Sequence, residues 1–204
     1  MPAIAQKGLE GGFEDAVLES QRVFRLCLQA LSRPGVSVPM AAGLKAIGPL
    51  RPATAAILLA LADFETTVWL DSAARAEPDI GAFLRFHTGA AICDAPDDAD
   101  FAVVLDPRAM PALAAFKQGT SDYPDRSSTL LIQVDHLRAD GPSFTGPGID
   151  GSVSFWTEPL PADFSAQLVR NRKSFPCGVD ILFVAPAEIV GLPRSTTTRA
   201  NGGG

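Results

Sequence analysis

The sequence predicts a single α/β domain in three layers (α/β/α), with helices on both faces of a central mixed sheet. Short apolar runs typical of buried strands alternate with segments whose apolar residues recur at helical spacing. The 204 residues are 47% hydrophobic, which suffices for one well-buried core, and no linker or repeat divides them. We therefore predict one domain over residues 13–194, a flexible amino terminus (1–12) and a flexible carboxyl-terminal tail (195–204) that is polar and glycine-rich.

The first predicted helix covers residues 13–31. Its buried face is expected to consist of Phe13, Val17, Phe24, Leu28 and Leu31, which recur at helical spacing. Another face carries Arg22, Arg25, Gln29 and Arg33. Pro34 and Gly35 end the helix, because proline disfavours continuation and glycine permits a sharp turn. A short extended segment, 36–38, follows.

The segment 53–62 is predicted to be a helix without a polar face. Pro52 suits the first helical position. A helix that is apolar all round must be covered on more than one side. It is either sandwiched within the core or partly covered by another subunit, and we expect a dimer mate or partner subunit to bury part of it.

The remaining elements complete the alternation. Core strands are predicted at 67–70, 90–93, 101–105, 129–134 and 179–184, and a strand or hairpin arm at 152–156. Helices are predicted at 78–86, 108–116 and 161–173, and turns at 142–149.

Composition excludes several classes of function. The net charge of −6 disfavours binding of nucleic acid through general electrostatics. The longest apolar run is too short to span a bilayer and the first residues do not resemble a signal peptide, so we expect no membrane association and a cytoplasmic location. Cys27, Cys93 and Cys177, an odd number without a close pair, indicate reduced thiols.

No catalytic constellation is recognisable in the sequence. The two histidines, His87 and His136, are far apart and have no cysteine or carboxylate at ligand spacing, so no metal is expected. Nucleophile-elbow and phosphate-loop motifs are missing. His87 ends a predicted helix, where a histidine commonly meets free carbonyl groups. We predict no catalytic residue.

The arginines are the best remaining candidates for binding. Arg22, Arg25 and Arg33 would form a stripe that receives an anion or an acidic partner surface, because the guanidinium fork matches carboxylate and phosphate. Arg194 would join them if the carboxyl-terminal segment returned to the first helix. The simpler alternative is a solvated helix face. The sequence leaves both readings open.

Several segments, taken in order, resemble one family. Among them are Arg33-Pro34-Gly35, Phe86-His87-Thr88-Gly89, Gly119-Thr120 with Pro124, Thr145-Gly146-Pro147-Gly148, Ser174-Phe175-Pro176, Gly178-Val179-Asp180 and Leu192-Pro193-Arg194-Ser195. Over residues 12–196 the chain resembles the PhnH family, the H subunit of the bacterial carbon–phosphorus lyase system. The family often has an arginine or similar polar residue where this chain has Cys177, and a threonine where it has Ser195.

The resemblance implies a reduced relative of the pyridoxal-phosphate-dependent transferase fold, without that cofactor. It also implies a homodimer that joins the G, I and J subunits in a core complex. There the chain would be an accessory or structural subunit, supporting formation of α-D-ribose 1-methylphosphonate 5-triphosphate from ATP and methylphosphonate. On this reading it is not catalytic alone, because the family's chemistry is ascribed mainly to other subunits.

The alternative function is a stand-alone nucleotide- or phosphonate-binding protein with an arginine-lined anion site. For either function we name six candidate residues that would bind a ligand or a partner. They are Arg22, Arg25, Arg33, Arg194, Asp180 and His87.

Overall fold

A computed structural model describes residues 11–199, which form a mixed α/β fold. The α-helices in this range are α1 (Ala16–Ser32), α2 (Pro52–Leu61), α3 (Ser72–Arg75), α4 (Pro78–Thr88) and α5 (Phe164–Lys173). The strands are β1 (Val38–Pro39), β2 (Thr67–Leu70), β3 (Ala91–Cys93), β4 (Phe101–Val104), β5 (Thr129–Gln133), β6 (His136–Thr145), β7 (Val153–Glu158), β8 (Asp180–Val184), β9 (Glu188–Leu192) and β10 (Thr197–Arg199).

Seven strands form the central sheet in the order β1-β9-β8-β5-β4-β2-β3. Strands β2, β3, β4, β5 and β8 are parallel, β9 is antiparallel to β8, and β1 is antiparallel to β9. Strands β10, β6 and β7 form a smaller antiparallel sheet. The predicted α/β class with a central mixed sheet is confirmed.

Two hydrophobic cores lie on opposite faces of the central sheet. Along β4, Val103 points into the core beneath α1, α2 and α4, whereas Ala102 and Val104 point into the other core. That second core is covered by α5, by two short 3-10 turns and by β6 and β7. One outer layer therefore combines a helix with a small sheet, where the sequence predicted helices alone.

The helix predicted at 108–116 is wrong. Two separate 3-10 turns, Pro107–Ala109 and Leu113–Ala115, occupy this segment. Pro111 lies between them, and a proline inside a helix removes one backbone donor and clashes with the preceding turn.

Three strands lie outside the predicted strands. Residues 142–145, predicted as turn, belong to β6, and β9 was not predicted. Strand β10 lies within the predicted flexible tail and pairs with β6 through residues 197–199. Strands β6 and β10 are fixed by pairing with their neighbours, because they have no strong apolar pattern of their own, whereas the apolar residues of β9 are buried in the core. Residues 1–10 and 200–204 of the predicted flexible termini lie outside the described residues.

The predicted buried face of α1 is also wrong. Val23, Cys27 and Ala30 are buried, whereas Val17, Phe24 and Leu28 are 66%, 45% and 51% exposed; Phe13 and Leu31 are partly buried. The cause is the close approach of α1 to the sheet. A Cβ atom on Gly191 of β9 would lie 2.4 Å from the carbonyl oxygen of Ala30. Small side chains therefore face the sheet, and the larger apolar ones lie to one side.

Helix α2 is sandwiched within the chain. Residues 53–58 are all buried, and α2 packs between α1 and α4 over the sheet. Of the two explanations for its apolar surface, the structure therefore supports coverage inside one chain. Apart from Pro52, only the last turn, 59–61, is partly exposed, so α2 no longer argues for a partner subunit.

Asp100 links the start of β4 to the start of β2 through hydrogen bonds. Its carboxylate accepts hydrogen bonds from Lys117 Nζ at 2.7 Å, and from the Thr67 backbone N–H and hydroxyl at 2.9 Å each. Burial alone would raise the pKa of Asp100, but the hydrogen bonds from Lys117 and Thr67 outweigh burial and lower it below its ordinary value.

This lowered pKa predicts a loss of stability in acid. A carboxyl group whose pKa is lower in the folded than in the unfolded chain stabilises the fold above its unfolded pKa, and loses this effect as the pH falls through its folded pKa. Below about pH 4, the free energy of unfolding of wild type should fall more steeply than that of Asp100→Asn, measured by urea denaturation. Asp97→Asn, which changes an exposed carboxylate, is the control. Parallel curves for wild type and Asp100→Asn would contradict the prediction.

Candidate functional site

An open cleft of about 330 Å³ lies at the amino-terminal edge of the parallel strands. Chain segments just before β5, before and at the start of β8, and after β9 meet there, because β9 runs antiparallel to β8. Its lining is Pro124, Asp125, Phe175, Pro176, Asp180, Pro193, Arg194 and Ser195.

An ion pair between Arg194 and Asp180 lies within this cleft. Arg194 Nη2 donates to Asp180 Oδ2 at 2.6 Å and Arg194 Nε donates to Oδ1 at 3.2 Å, while the backbone N–H of Arg194 donates to Oδ1 at 2.8 Å. Arg194 Nη1 also donates to the carbonyl of Pro124. The two side chains are only 14% and 21% exposed. Arg194 therefore connects the segment after β9 with Asp180 of β8 and with Pro124, and its charge is balanced by Asp180.

Two arginine–aromatic pairs lie beside the cleft. The guanidinium carbon of Arg172 lies 4.8 Å from the centroid of the Phe175 ring, and that of Arg126 lies 4.4 Å from the centroid of Tyr123, the neighbour of Pro124. Both rings are about half exposed. Apolar faces next to cations suit an acidic partner surface or an anionic ligand with an apolar body.

The arginines of α1 do not line this cleft. Arg22 Nη2 donates to the carbonyl of Ala41 at 2.9 Å, and Arg25 and Arg33 are exposed. Arg22 and Arg33 are eleven residues apart, which places their backbones roughly 16 Å apart along the helix axis. The structure thus brings Arg194 and Asp180 together, whereas none of Arg22, Arg25 and Arg33 lines their cleft.

His87 packs at the carboxyl-terminal end of α4. Its ring centroid lies 4.4 Å from that of Phe83 and 4.9 Å from that of Phe86. A Cβ atom on Gly12 would lie 2.8 Å from the imidazole carbon Cε1, so the chain just before α1 lies directly against the ring. His87 is placed for packing between α4 and this segment, and it does not line the cleft.

The Cys27 thiol is buried within α1. Burial raises the pKa of the Cys27 thiol to about 12, so this thiol stays protonated. Among residues 11–199, no group of three or more histidines, cysteines or carboxylates is arranged to hold a metal ion. The helices in this range are too short or too polar to cross a bilayer.

Comparison with known proteins decides the family. The sequence profile described as "Bacterial phosphonate metabolism protein (PhnH)" matches residues 11–199. The chain belongs to the PhnH family. A relative in Rhizobium meliloti (strain 1021), described as "Alpha-D-ribose 1-methylphosphonate 5-triphosphate synthase subunit PhnH", is 36% identical over 187 residues, covering 91% of this chain and 93% of the relative. The resemblance predicted from the sequence is confirmed.

A second relative comes from Stutzerimonas stutzeri. It is described as "Putative C-P lyase subunit protein HtxG" and is 28% identical over 189 residues, covering 89% of this chain and 87% of the relative. Both relatives are thus described as subunits, and both align with nearly the whole of this chain.

Segments that carry the PhnH resemblance converge at the cleft. Phe175-Pro176, Asp180, Pro193-Arg194-Ser195 and Pro124 come from four parts of the chain and line one cavity. Other segments of the resemblance serve backbone geometry. Gly148 has φ of +82°, and a Cβ atom there would lie 2.1 Å from the carbonyl oxygen of Ser32. The cleft is therefore the candidate functional site of this PhnH protein.

Sequence reasoning missed Arg126 and Arg172. Each arginine is three residues from its aromatic partner, Tyr123 or Phe175. In a helix or turn this spacing brings side chains together, so arginine–aromatic pairs three residues apart were the available signal.

Proposed function

We propose that this chain is an accessory subunit of a carbon–phosphorus lyase core complex, supporting formation of α-D-ribose 1-methylphosphonate 5-triphosphate from ATP and methylphosphonate in the cytoplasm. The observation that carries the proposal is the nearly full-length similarity to a protein described as a subunit of that synthase. The cleft supports it further, since two cation–aromatic pairs with half-exposed rings lie beside it and are suited to binding.

The chain's partners follow from the same proposal. It would form a homodimer and join the G, I and J subunits, and its fold would be a reduced relative of the pyridoxal-phosphate-dependent transferases that works without the cofactor. We assign the cleft to contact with another subunit, because half-exposed aromatic rings and arginines are typical of protein interfaces.

A different surface suits the homodimer. Val17, Phe24 and Leu28 share one face of α1, seven and four residues apart, and all three are exposed. We call them the α1 apolar stripe. An exposed apolar stripe on a surface helix is favourable for a self-complementary contact across a two-fold axis, where the same residues meet their own copies.

Light scattering tests both contacts. Wild type should have twice the chain mass of 21.4 kDa and should move into a larger particle with the G, I and J subunits. Phe24→Glu should weaken the dimer about 30-fold or more, because it removes an aromatic anchor and buries a charge. Val169→Glu, which changes an exposed apolar residue of α5, is the matched control and should leave the dimer intact.

The outcomes separate the two contacts. Equal masses for Phe24→Glu and Val169→Glu would exclude the α1 apolar stripe as the dimer interface. A wild-type dimer that did not associate with any of the three subunits would contradict the accessory function but would still support the homodimer.

A further inference from the structure

In α/β proteins with an open parallel sheet, ligands usually bind outside the carboxyl ends of the strands, where successive connections leave in opposite directions. Here that point lies between β2 and β4. The chain leaves β2 through α3 and α4 to reach β3 on one side, and leaves β4 through the 3-10 turns to reach β5 on the other. The two connections also cover opposite faces of the sheet, since α4 packs into one core and Leu113 into the other.

The side chain of Asp71 fills this crevice. Its Oδ2 accepts hydrogen bonds from the backbone N–H groups of Leu105 at 2.7 Å and Asp106 at 2.8 Å, both in the connection after β4. Its Oδ1 accepts from the N–H of Ala74, in the connection after β2, at 2.8 Å. Asp71 is only 5% exposed. One carboxylate thus bridges the two diverging connections at the place where a ligand would enter.

Two arginines donate hydrogen bonds to carbonyl groups at the ends of the neighbouring strands. Arg75 donates from Nε to the carbonyl of Leu70 at 2.9 Å and from Nη2 to the carbonyl of Cys93, which caps β2 and β3. Arg51 donates from Nη1 to the carbonyls of Val134 and Val184, the latter at 2.8 Å, and so caps β5 and β8. Arginine side chains therefore donate hydrogen bonds to the carbonyl groups of these strand ends, and Asp71 accepts hydrogen bonds from the convergent N–H groups.

We infer that Asp71 is a built-in anion that occupies the ligand position of the fold, so that the crevice between β2 and β4 is filled by the chain's own carboxylate. Three N–H donors that converge on one negative group would otherwise recognise a carboxylate or a phosphate. The inference stands on these contacts and is independent of the proposed function.

Chemical rescue tests the inference. Asp71→Gly deletes the carboxylate and leaves a space that accepts formate. Its melting temperature should fall by about 10 °C, since one buried and two part-buried N–H groups lose a charged acceptor. Sodium formate should restore part of this loss, compared with sodium chloride at the same ionic strength. Asp15→Gly is the matched control: Asp15 also accepts two N–H groups, from Val17 at 3.1 Å and Leu18 at 3.0 Å, but it is exposed.

The expected result is recovery by formate in Asp71→Gly and none in Asp15→Gly. Absence of recovery in a folded Asp71→Gly would overturn the inference. If that variant does not fold, the wild type decides the question through amide chemical shifts in a titration with inorganic phosphate. The amides of Ala74, Leu105 and Asp106 should not move in wild type; a saturable shift at all three would show an open anion site and overturn the inference.

Discussion

Gly191→Ala should destabilise the protein by roughly 3 kcal/mol, although it adds a single methyl group. The Cβ atom would lie 2.4 Å from the carbonyl oxygen of Ala30, 2.6 Å from its carbonyl carbon and 2.8 Å from the backbone nitrogen of Leu31. All three are backbone atoms of α1, so no side chain can rotate away. The helix would have to move off β9, which opens the core around Val23 and Cys27.

Urea denaturation of Gly191→Ala measures this effect, with Gly43→Ala as the control. Gly43 has open space around its Cα atom and no positive φ, so alanine there should be neutral or stabilise by up to about 1 kcal/mol through the unfolded state. Free energies of unfolding for the two variants within 1 kcal/mol of each other would show that α1 does not lie this close to the sheet.

The sequence could predict the core strands but not the buried face of α1. The core strands β2, β4, β5 and β8 were predictable because each is a continuous apolar run buried on both faces. The buried face of α1 was not predictable from its periodicity, because the helix has two candidate apolar faces. Gly191 selects the one with small side chains, and a glycine in a strand that was itself unpredicted gives no such signal.

The candidate site was also predictable only in part, because its residues could be named but the contact between them could not. Arg194 and Asp180 were both named from the sequence, yet their contact depends on β9, which returns the chain beside β8. Without β9 the position of Arg194 was open, and a shared site with the arginines of α1 was reasonable. Charge patterns identify residues with binding chemistry, whereas the partner of each charge depends on strand order.

Removing either member of the Arg194–Asp180 pair should cost about 3 kcal/mol of stability, because the remaining charge is left largely buried. Asp180→Ala leaves the guanidinium without its carboxylate, and Arg194→Ala also releases the carbonyl of Pro124. The double variant should cost clearly less than the sum of the two single variants, since no unpaired charge remains. Urea denaturation of the four proteins gives the coupling energy of the pair.

The exposed pair Arg170–Asp163, at 3.2 Å, is the control for this cycle, and Arg170→Ala should change stability by less than about 1 kcal/mol. Additive single variants at Arg194 and Asp180 would contradict a buried, mutually dependent pair. The double variant also separates structure from function. If it stays folded and dimeric but no longer joins the larger particle, the cleft contacts a partner. If it still joins, Arg194 and Asp180 only hold the chain segments together, and the subunit contact must be sought on another surface.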